Sequence, residues 1–282
     1  MPTVDHPWLD RRILNYGHQG GSREAPSSTL HAFERARANG ADALEMDVHR
    51  TADGVLVVCH DASVDRTTDG VGAIADLTMA QLLELDNAYW WAPGHDAVHD
   101  LPADGYPLRG RAPAEPALRI ATLAEVLAAH PDIPLNFDIK QTAPDVVPYE
   151  AELAAMLADF GRVDDVIVAS FHDAALAAFR AVAPDVPTSF ALQEAFDAVM
   201  AIRSGRPVGR VPGQVALQLP HRFGDEVVVD AALVAGAHAQ GIAVHVWTVD
   251  DPSDMAQLVE IGVDGIMTDV PSVLSRVLRQ SG

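Results

Sequence analysis

The sequence predicts a (β/α)8 TIM barrel with a small insertion, or lid, after its second strand. Three observations carry that reading. Short apolar runs alternate with helical stretches without a break from Thr122 to Arg279. The length of 282 residues sits near the roughly 250 that such barrels typically use. Polar residues also interrupt the apolar strands at alternate positions, gathering where barrel enzymes hold their chemistry, at the C-terminal strand ends. A doubly wound sheet is the competing architecture, but no GxGxxG-like turn follows a strand.

Taken in order, Ile13–Gly17 reads as the first strand, closing at His18. Pro26-Ser27-Ser28-Thr29 is a helix start with Ser28 or Thr29 as N-cap, because a hydroxyl there accepts from an otherwise unpaired helix N–H. Leu30, Phe33, Ala36 and Arg37 keep helical spacing until Gly40 ends it. Ala43–Val48 is the second strand. Thr51-Ala52-Asp53-Gly54 is a turn, since Asp-Gly takes positive φ readily, and it returns the chain into a strand over Val55–His60. Asp65–Gly72 is turn-rich and Thr78–Leu85 a short helix. Asp86–Leu118 is irregular, with Trp90, Trp91 and five prolines. Adjacent tryptophans favour an ordered cap or lid over disorder. The chain, 1–282, reads as a single domain with this insertion at about 55–118.

Beyond the insertion, helix Thr122–His130 precedes strand Leu135–Lys140, and helix Val146–Phe160 precedes strand Val166–Phe171. Helix Ala174–Val182 leads to strand Pro187–Leu192, and helix Ala195–Ser204 to strand Val215–Leu219. Helix Val229–Gln240, strand Ala243–Val249, helix Ser253–Ile261, strand Gly265–Thr268 and helix Val273–Arg279 complete the alternation.

Side chains alternate faces along a strand, so Glu45, Asp47 and His49 project together, as do Asn136, Asp138 and Lys140. Gln218, His245 and Trp247 take similar positions on later strands. Parallel strands ordinarily read as nearly unbroken Val, Ile and Leu. Charges facing a barrel interior are costly unless they bind something. Three converging carboxylates cannot all stay ionised without a cation. Oxygen-only ligands suit a hard ion, so Glu45, Asp47 and Asp138 are expected to hold one divalent cation, Mg2+ or Ca2+. His18 and His60, at strand ends beside the acidic pair, suit proton transfer. As zinc ligands they lack HExxH spacing, and Cys59 is the one cysteine. The chain has a single lysine, Lys140, among 19 basic residues. A cation, an ammonium and two imidazoles together suit phosphate-ester chemistry. His6, His31, His95, His99, His130, His221 and His238 read as structural.

Forty acidic residues give a net charge of −21. That argues against nucleic acid, whose phosphates need basic surface, and against adsorption to anionic lipid. No apolar run approaches the ~20 residues of a membrane span, so no integral membrane association is expected. The stretch MPTVDHPWLDRR lacks the charged start and apolar run of a signal peptide. The expectation is a cytoplasmic protein acting on a small-molecule phosphodiester.

The motifs resemble those of the glycerophosphodiester phosphodiesterases. They run His18-Gln19-Gly20, Pro26-Ser27-Ser28-Thr29, Ala32-Phe33, Gly40-Ala41-Asp42 and Glu45-Met46-Asp47-Val48. Thr51-Ala52-Asp53-Gly54, Val58-Cys59-His60-Asp61 and Arg66-Thr67-Thr68-Asp69-Gly70-Val71-Gly72 follow. Asn136-Phe137-Asp138-Ile139-Lys140, Ser170-Phe171, Trp247-Thr248-Val249 and Thr268-Asp269-Val270-Pro271 carry the likeness to the end. It implies a metal-dependent TIM barrel that releases sn-glycerol 3-phosphate and an alcohol. A neighbouring glycerol hydroxyl would attack phosphorus, and water would open the cyclic phosphate. By position, Glu45, Asp47 and Asp138 would hold the metal, His18 and His60 would be the acid/base pair, and Lys140 would contact phosphate. Trp247 would wall the pocket.

Three departures stand out. Gln19 stands where the family has an arginine and would contact substrate there, without that arginine's fixed phosphate-binding charge. Ser27 and Ser28 replace a glutamate and an asparagine, with Glu24 the nearest substitute carboxylate. Asp138 replaces a glutamate, a pattern shared with the related sphingomyelinase D enzymes. A lysophospholipase D or sphingomyelinase D-like barrel is therefore the alternative enzyme, with the Trp90–Trp91 lid against an acyl chain. A barrel that only binds a phosphorylated ligand is the alternative of another class.

Overall fold

The computed structural model describes residues 8–9 and 12–281. His6 and most of the N-terminal stretch read as lacking a leader lie outside these residues. The strands are β1 (Leu14–His18), β2 (Ala43–Arg50), β3 (Leu56–Val58), β4 (Leu135–Ile139), β5 (Val166–Ala169) and β6 (Thr188–Ser189). They continue with β7 (Gln214–Pro220), β8 (Arg222–Phe223), β9 (Glu226–Val227), β10 (Ala243–Trp247) and β11 (Gly265–Thr268). The helices are α1 (Leu30–Ala38), α2 (Met79–Leu82), α3 (Leu123–Ala129), α4 (Glu150–Asp159) and α5 (Asp173–Val182). After them come α6 (Leu192–Arg203), α7 (Ala231–His238), α8 (Pro252–Glu260) and α9 (Pro271–Ser281).

The main sheet runs β1-β11-β10-β7-β6-β5-β4-β2-β3, and β1 also pairs with β2. That last pairing closes eight parallel strands into the expected barrel. β3 stays outside the ring, antiparallel to β2, with Val48 opposite Val58. Side chains pointing into the barrel form a plug of Trp8, Leu14, Tyr16, Ala43, Ile167, Ala216, Ala243 and Met267. Two larger apolar clusters fill the space between barrel and helices. Among the inward-facing positions, the plug is apolar while those at the mouth carry the polar side chains.

Helix starts follow local chemistry. Thr29 caps α1, its Oγ1 accepting from Ala32 N at 3.0 Å. Thr122 and Glu125 form a capping box on α3, and Asp230 and Asp251 cap α7 and α8. The stretch expected as helix from Val146 turns helical only at Glu150, since Pro144 and Pro148 interrupt the ladder. The strand expected over Pro187–Leu192 shortens to Thr188–Ser189. There Glu194, held by Arg180 at 2.7 Å, accepts from Ala191 N at 2.8 Å and starts α6 early. The β8–β9 hairpin turns at Gly224, φ +60°, and interrupts a stretch expected to be connecting loop.

The insertion is ordered by its own aromatics. Trp91 Nε1 donates to Ser22 O at 2.9 Å, and Trp90 stacks on His99 at 4.3 Å. The Arg109 guanidinium lies over Tyr89, Trp90 and Tyr106, 3.6 Å from the Tyr106 centroid. Trp90 is therefore engaged within the cap, Trp91 fastens the cap to the loop after β1, and neither is among the residues lining the barrel-mouth cavity.

Gly265 marks the tightest point of the interior. A Cβ there would meet Tyr16 Cε2 at 2.8 Å and His245 Cδ2 at 3.0 Å. Both rings are buried, so neither can step aside. Gly265→Ala is expected to lower stability by about 1–3 kcal/mol, the usual scale of overpacking. Urea denaturation reads this directly, and an unshifted midpoint would show that the interior is looser than described.

Candidate active site

Strand register brings the site together. His18 at the end of β1 lies beside Glu45 of β2, and Asp47 lies beside Asp138 of β4. His60 stands two residues past β3, which the antiparallel pairing carries back over the mouth. The His18 and His60 rings face each other 6.3 Å apart at 76°. With Lys140 and the three carboxylates they line a cavity of about 370 Å³. Trp247 forms one wall, packed edge-to-face on Phe171 at 5.5 Å. Gln218 donates to Asn136 Oδ1 at 2.6 Å across the floor. His49, buried two residues beyond Asp47 toward the end of β2, meets Gln141 Oε1, and His245 is buried lower in the barrel against the Tyr16 ring.

Each histidine leans on a carboxylate whose part the sequence reading left unassigned. His18 Nδ1 is 2.6 Å from Asp269 Oδ1, at the end of β11. His60 Nδ1 is 2.6 Å from Asp61 Oδ1, and Arg66 Nε holds the other Asp61 oxygen at 2.6 Å. Arg66 in turn pairs with Asp96 of the insertion. The signal was available, because Asp61 directly follows His60 and Asp269 ends the last strand beside the first.

Gln19 is buried and is not among the residues lining the cavity, its Nε2 3.2 Å from His18 Nε2, the ring nitrogen opposite the Asp269 contact. Its backbone is left-handed, φ +52°, a costly state for a side-chain-bearing residue. Hydrogen bonds from Gln19 N to Glu45 O and from Ser28 N to Gln19 O hold it there. Glu24 does not reach the site. It accepts from Ser272 Oγ at 2.6 Å and so ties α9 to the first loop.

The buried charges are arranged against one another. Lys140 Nζ lies 3.0 Å from Asp47 Oδ1 and 3.3 Å from Asp138 Oδ2. Burial alone would lower its pKa, but the two carboxylates outweigh that and keep it charged. Asp47 Oδ2 and Asp138 Oδ1 are buried with no hydrogen-bond partner. Burial raises Glu45 to about 8, reinforced by Asp47 and opposed by His18 and Lys140. Burial likewise raises Asp138 to about 6. Among the described residues, no three His, Cys, Asp or Glu side chains are grouped as a coordinating cluster, and the ammonium stands between Asp47 and Asp138. The orphaned oxygens and the all-carboxylate donor set nevertheless fit a hard cation.

His18 is pulled two ways. Burial would lower its pKa, but Glu45, Asp269 and Asp47 raise it to about 10. It therefore carries a proton at neutral pH. Asp61 is held far below the ordinary carboxylate range, chiefly by the His60 hydrogen bond and then by Arg66, against burial.

A closed barrel with this mouth is a hydrolase of the phosphodiesterase class. The chain belongs to the glycerophosphoryl diester phosphodiesterase family, whose model matches residues 18–273. A glycerophosphodiester phosphodiesterase from Caldanaerobacter subterraneus subsp. tengcongensis is 31% identical over 278 residues, 96% of this chain and 100% of that protein. One from Bacillus subtilis is 29% identical, over 94% of this chain and 86% of its own length. Among solved structures, a glycerophosphodiester phosphodiesterase from Agrobacterium tumefaciens superposes with TM-score 0.72 at 23% identity, covering 95% of this chain and 98% of that one. An Oleispira antarctica phosphodiesterase, solved with the product sn-glycerol-3-phosphate, gives TM-score 0.68 at 23% identity over 94% and 96% of the two chains. The protein is accordingly a phosphoric diester hydrolase.

The raised His18 pKa has a consequence for stability. A group whose pKa rises on folding stabilises fully below its unfolded value, 6.5, and that contribution is lost as pH climbs through about 10. The raised Glu45 acts in the same direction. Asp269→Asn removes one of the groups that hold the His18 proton. Its stability loss is expected to begin at the same pH, which the unfolded chain sets, but to finish at lower pH and be smaller in total than in wild type. Thermal midpoints recorded from neutral to alkaline pH check this, and superimposable profiles would remove Asp269 from the role.

Proposed function

We propose that the chain hydrolyses glycerophosphodiesters to sn-glycerol 3-phosphate and an alcohol. The observation that carries this reading is the pair of opposed imidazoles, each bound to a carboxylate, above a buried group of three carboxylates and one ammonium. The names of the relatives and the product held by the Oleispira antarctica structure support it.

Glu45, Asp47 and Asp138 would hold one Mg2+ or Ca2+, which when bound draws charge from the non-bridging phosphate oxygens. The Lys140 ammonium already supplies part of that positive charge between Asp47 and Asp138. In the reaction it offsets the charge that develops on phosphate, a task for a compact point charge. His18, protonated at neutral pH, gives its proton to the leaving alkoxide. His60 donates Nδ1–H to Asp61, which leaves Nε2 free to take the proton of the attacking hydroxyl. Asp61 and Asp269 fix the two ring orientations. Trp247 and Phe171 bound the glycerol side of the cavity. Gln19, being neutral, supplies no charge to the phosphate, and its side-chain amide meets His18 at Nε2, the ring nitrogen that gives the proton.

Hydrolysis of glycerophosphocholine, followed by enzymatic detection of sn-glycerol 3-phosphate, tests the reaction. Chelator is expected to abolish turnover, with Mg2+ or Ca2+ restoring it. In Asp47→Asn, calorimetry should show weakened metal binding while the folded signal in circular dichroism is kept. Full turnover after exhaustive chelation would remove the metal from this reading. Replacing His18 or His60 by Ala should each cost about 10²-fold or more in kcat, the usual scale for a proton-transfer group. A His60→Ala enzyme that kept most of its kcat would require another base.

A further inference from the structure

One turn of the insertion touches the supports of both histidines. Ala92 and His95 pair across a tight turn in which Gly94 takes φ +86°. The Gly94 N–H donates to Arg23 O at 2.9 Å, and the Gly94 carbonyl accepts from Arg23 Nε at 2.9 Å. Two residues on, Asp96 pairs with Arg66. Arg23 and Arg66 are far apart in sequence, one after β1 and the other after β3, yet the turn holds both.

From these two contacts, short chains of bonds run to the barrel mouth. The Arg66 guanidinium is shared, Nη1 binding Asp96 while Nε holds Asp61 Oδ2 at 2.6 Å. Its rigid planar fork sets the angle between the two carboxylates, and the other Asp61 oxygen meets His60 Nδ1. On the opposite side, the Arg23 backbone N–H donates to Asp269 O at 3.2 Å, and Arg23 Nη1 lies 3.4 Å from Asp250 Oδ2. Asp250 Oδ1 accepts from Asp269 N at 2.8 Å, and the Asp269 carboxylate meets His18 Nδ1. Half-exposed ion pairs add little to stability, so these chains are better accounted for by what they align. Asp96 Oδ1 is even buried without a hydrogen-bond partner, a cost that a pair kept for stability alone would avoid.

We propose that the Gly94–Asp96 turn positions both catalytic histidines, Asp96 and Arg66 aligning His60 while Arg23 aligns His18. This rests on the proton-transfer roles proposed above and adds positioning residues that touch neither the substrate nor the moving proton. Both rings are thereby referred to one point of the chain, which fixes their 6.3 Å separation.

Two substrates separate the arms. Glycerophosphocholine releases an alkoxide that needs a proton, whereas glycerophospho-p-nitrophenol releases a phenolate that does not. Both need the base. Arg66→Gln and Asp96→Asn are therefore expected to lower kcat on either substrate, by up to about 10²-fold, the scale of a misplaced group, with KM unchanged. Arg23→Gln should lower kcat on the choline ester and leave the nitrophenyl ester near wild type. Because Asp96 acts through Arg66, the double variant Asp96→Asn/Arg66→Gln should be no slower than Arg66→Gln alone, and Asp96→Glu should recover part of the loss. A second measurement is independent of turnover: proton NMR of the two Nδ1 protons, which short bonds to Asp61 and Asp269 move downfield. Asp96→Asn should shift the His60 resonance and Arg23→Gln that of His18, each assigned by its loss in His60→Ala or His18→Ala. Unmoved resonances with unchanged kcat in folded variants overturn the proposal. Losses confined to KM, or equal on both substrates for Arg23→Gln, overturn it as well. If wild type hydrolyses neither diester while the resonances move as stated, the proposed reaction fails and the positioning chains stand.

Discussion

The burial of like charge governs this structure. Glu45, Asp47 and Asp138 project from adjacent strands into one mouth because parallel register leaves them no other direction. Their mutual repulsion and desolvation would be prohibitive if each stayed ionised without a partner. The ammonium of Lys140 and the imidazolium of His18 relieve part of it, and two orphaned carboxylate oxygens show how much is left over. The barrel tolerates this because its lower interior is a dense apolar plug and its helices are anchored on separate apolar clusters. Stability is gathered in one half of the molecule and spent in the other.

The same logic arranges the imidazoles. A histidine among carboxylates is driven toward the charged form, and His18 follows that rule. His60 rests on Asp61, whose other oxygen Arg66 holds. The two rings thus meet different sets of neighbours. The Arg66–Asp96 pair extends the His60 support from the start of the insertion to the segment after Trp90–Trp91. The cap thus acts on the site through a chain of ion pairs although its tryptophans are not among the residues lining the cavity.

Much of this was legible from the residues. Eight strands with polar residues at alternate positions declared the barrel, and Gly265–Thr268 was delimited to the residue. The histidines, carboxylates and lysine of the cavity were readable because polar residues in buried strands stand out. What escaped was set by tertiary contact. The early start of α6 depends on Glu194 and Arg180, fourteen residues apart. The Asp269–His18 pairing spans the whole chain and becomes obvious only when the last strand lies beside the first. The β8–β9 hairpin is two residues a side, too short for a periodic signal. The Trp90–Trp91 pair was correctly read as ordered, but its orientation came from Arg109 and His99, which no local pattern links to it.

The single lysine of this chain is the bridge at the bottom of its own active site. Amine-reactive reagents applied to most proteins report on a crowd of surface side chains. Here they meet one side-chain amine, and it is protonated and pinned between two carboxylates. It becomes nucleophilic only in the moments when that bridge opens. Labelling kinetics at Lys140 would therefore act as a clock for an internal fluctuation, giving chemical access to a motion that other side chains would mask.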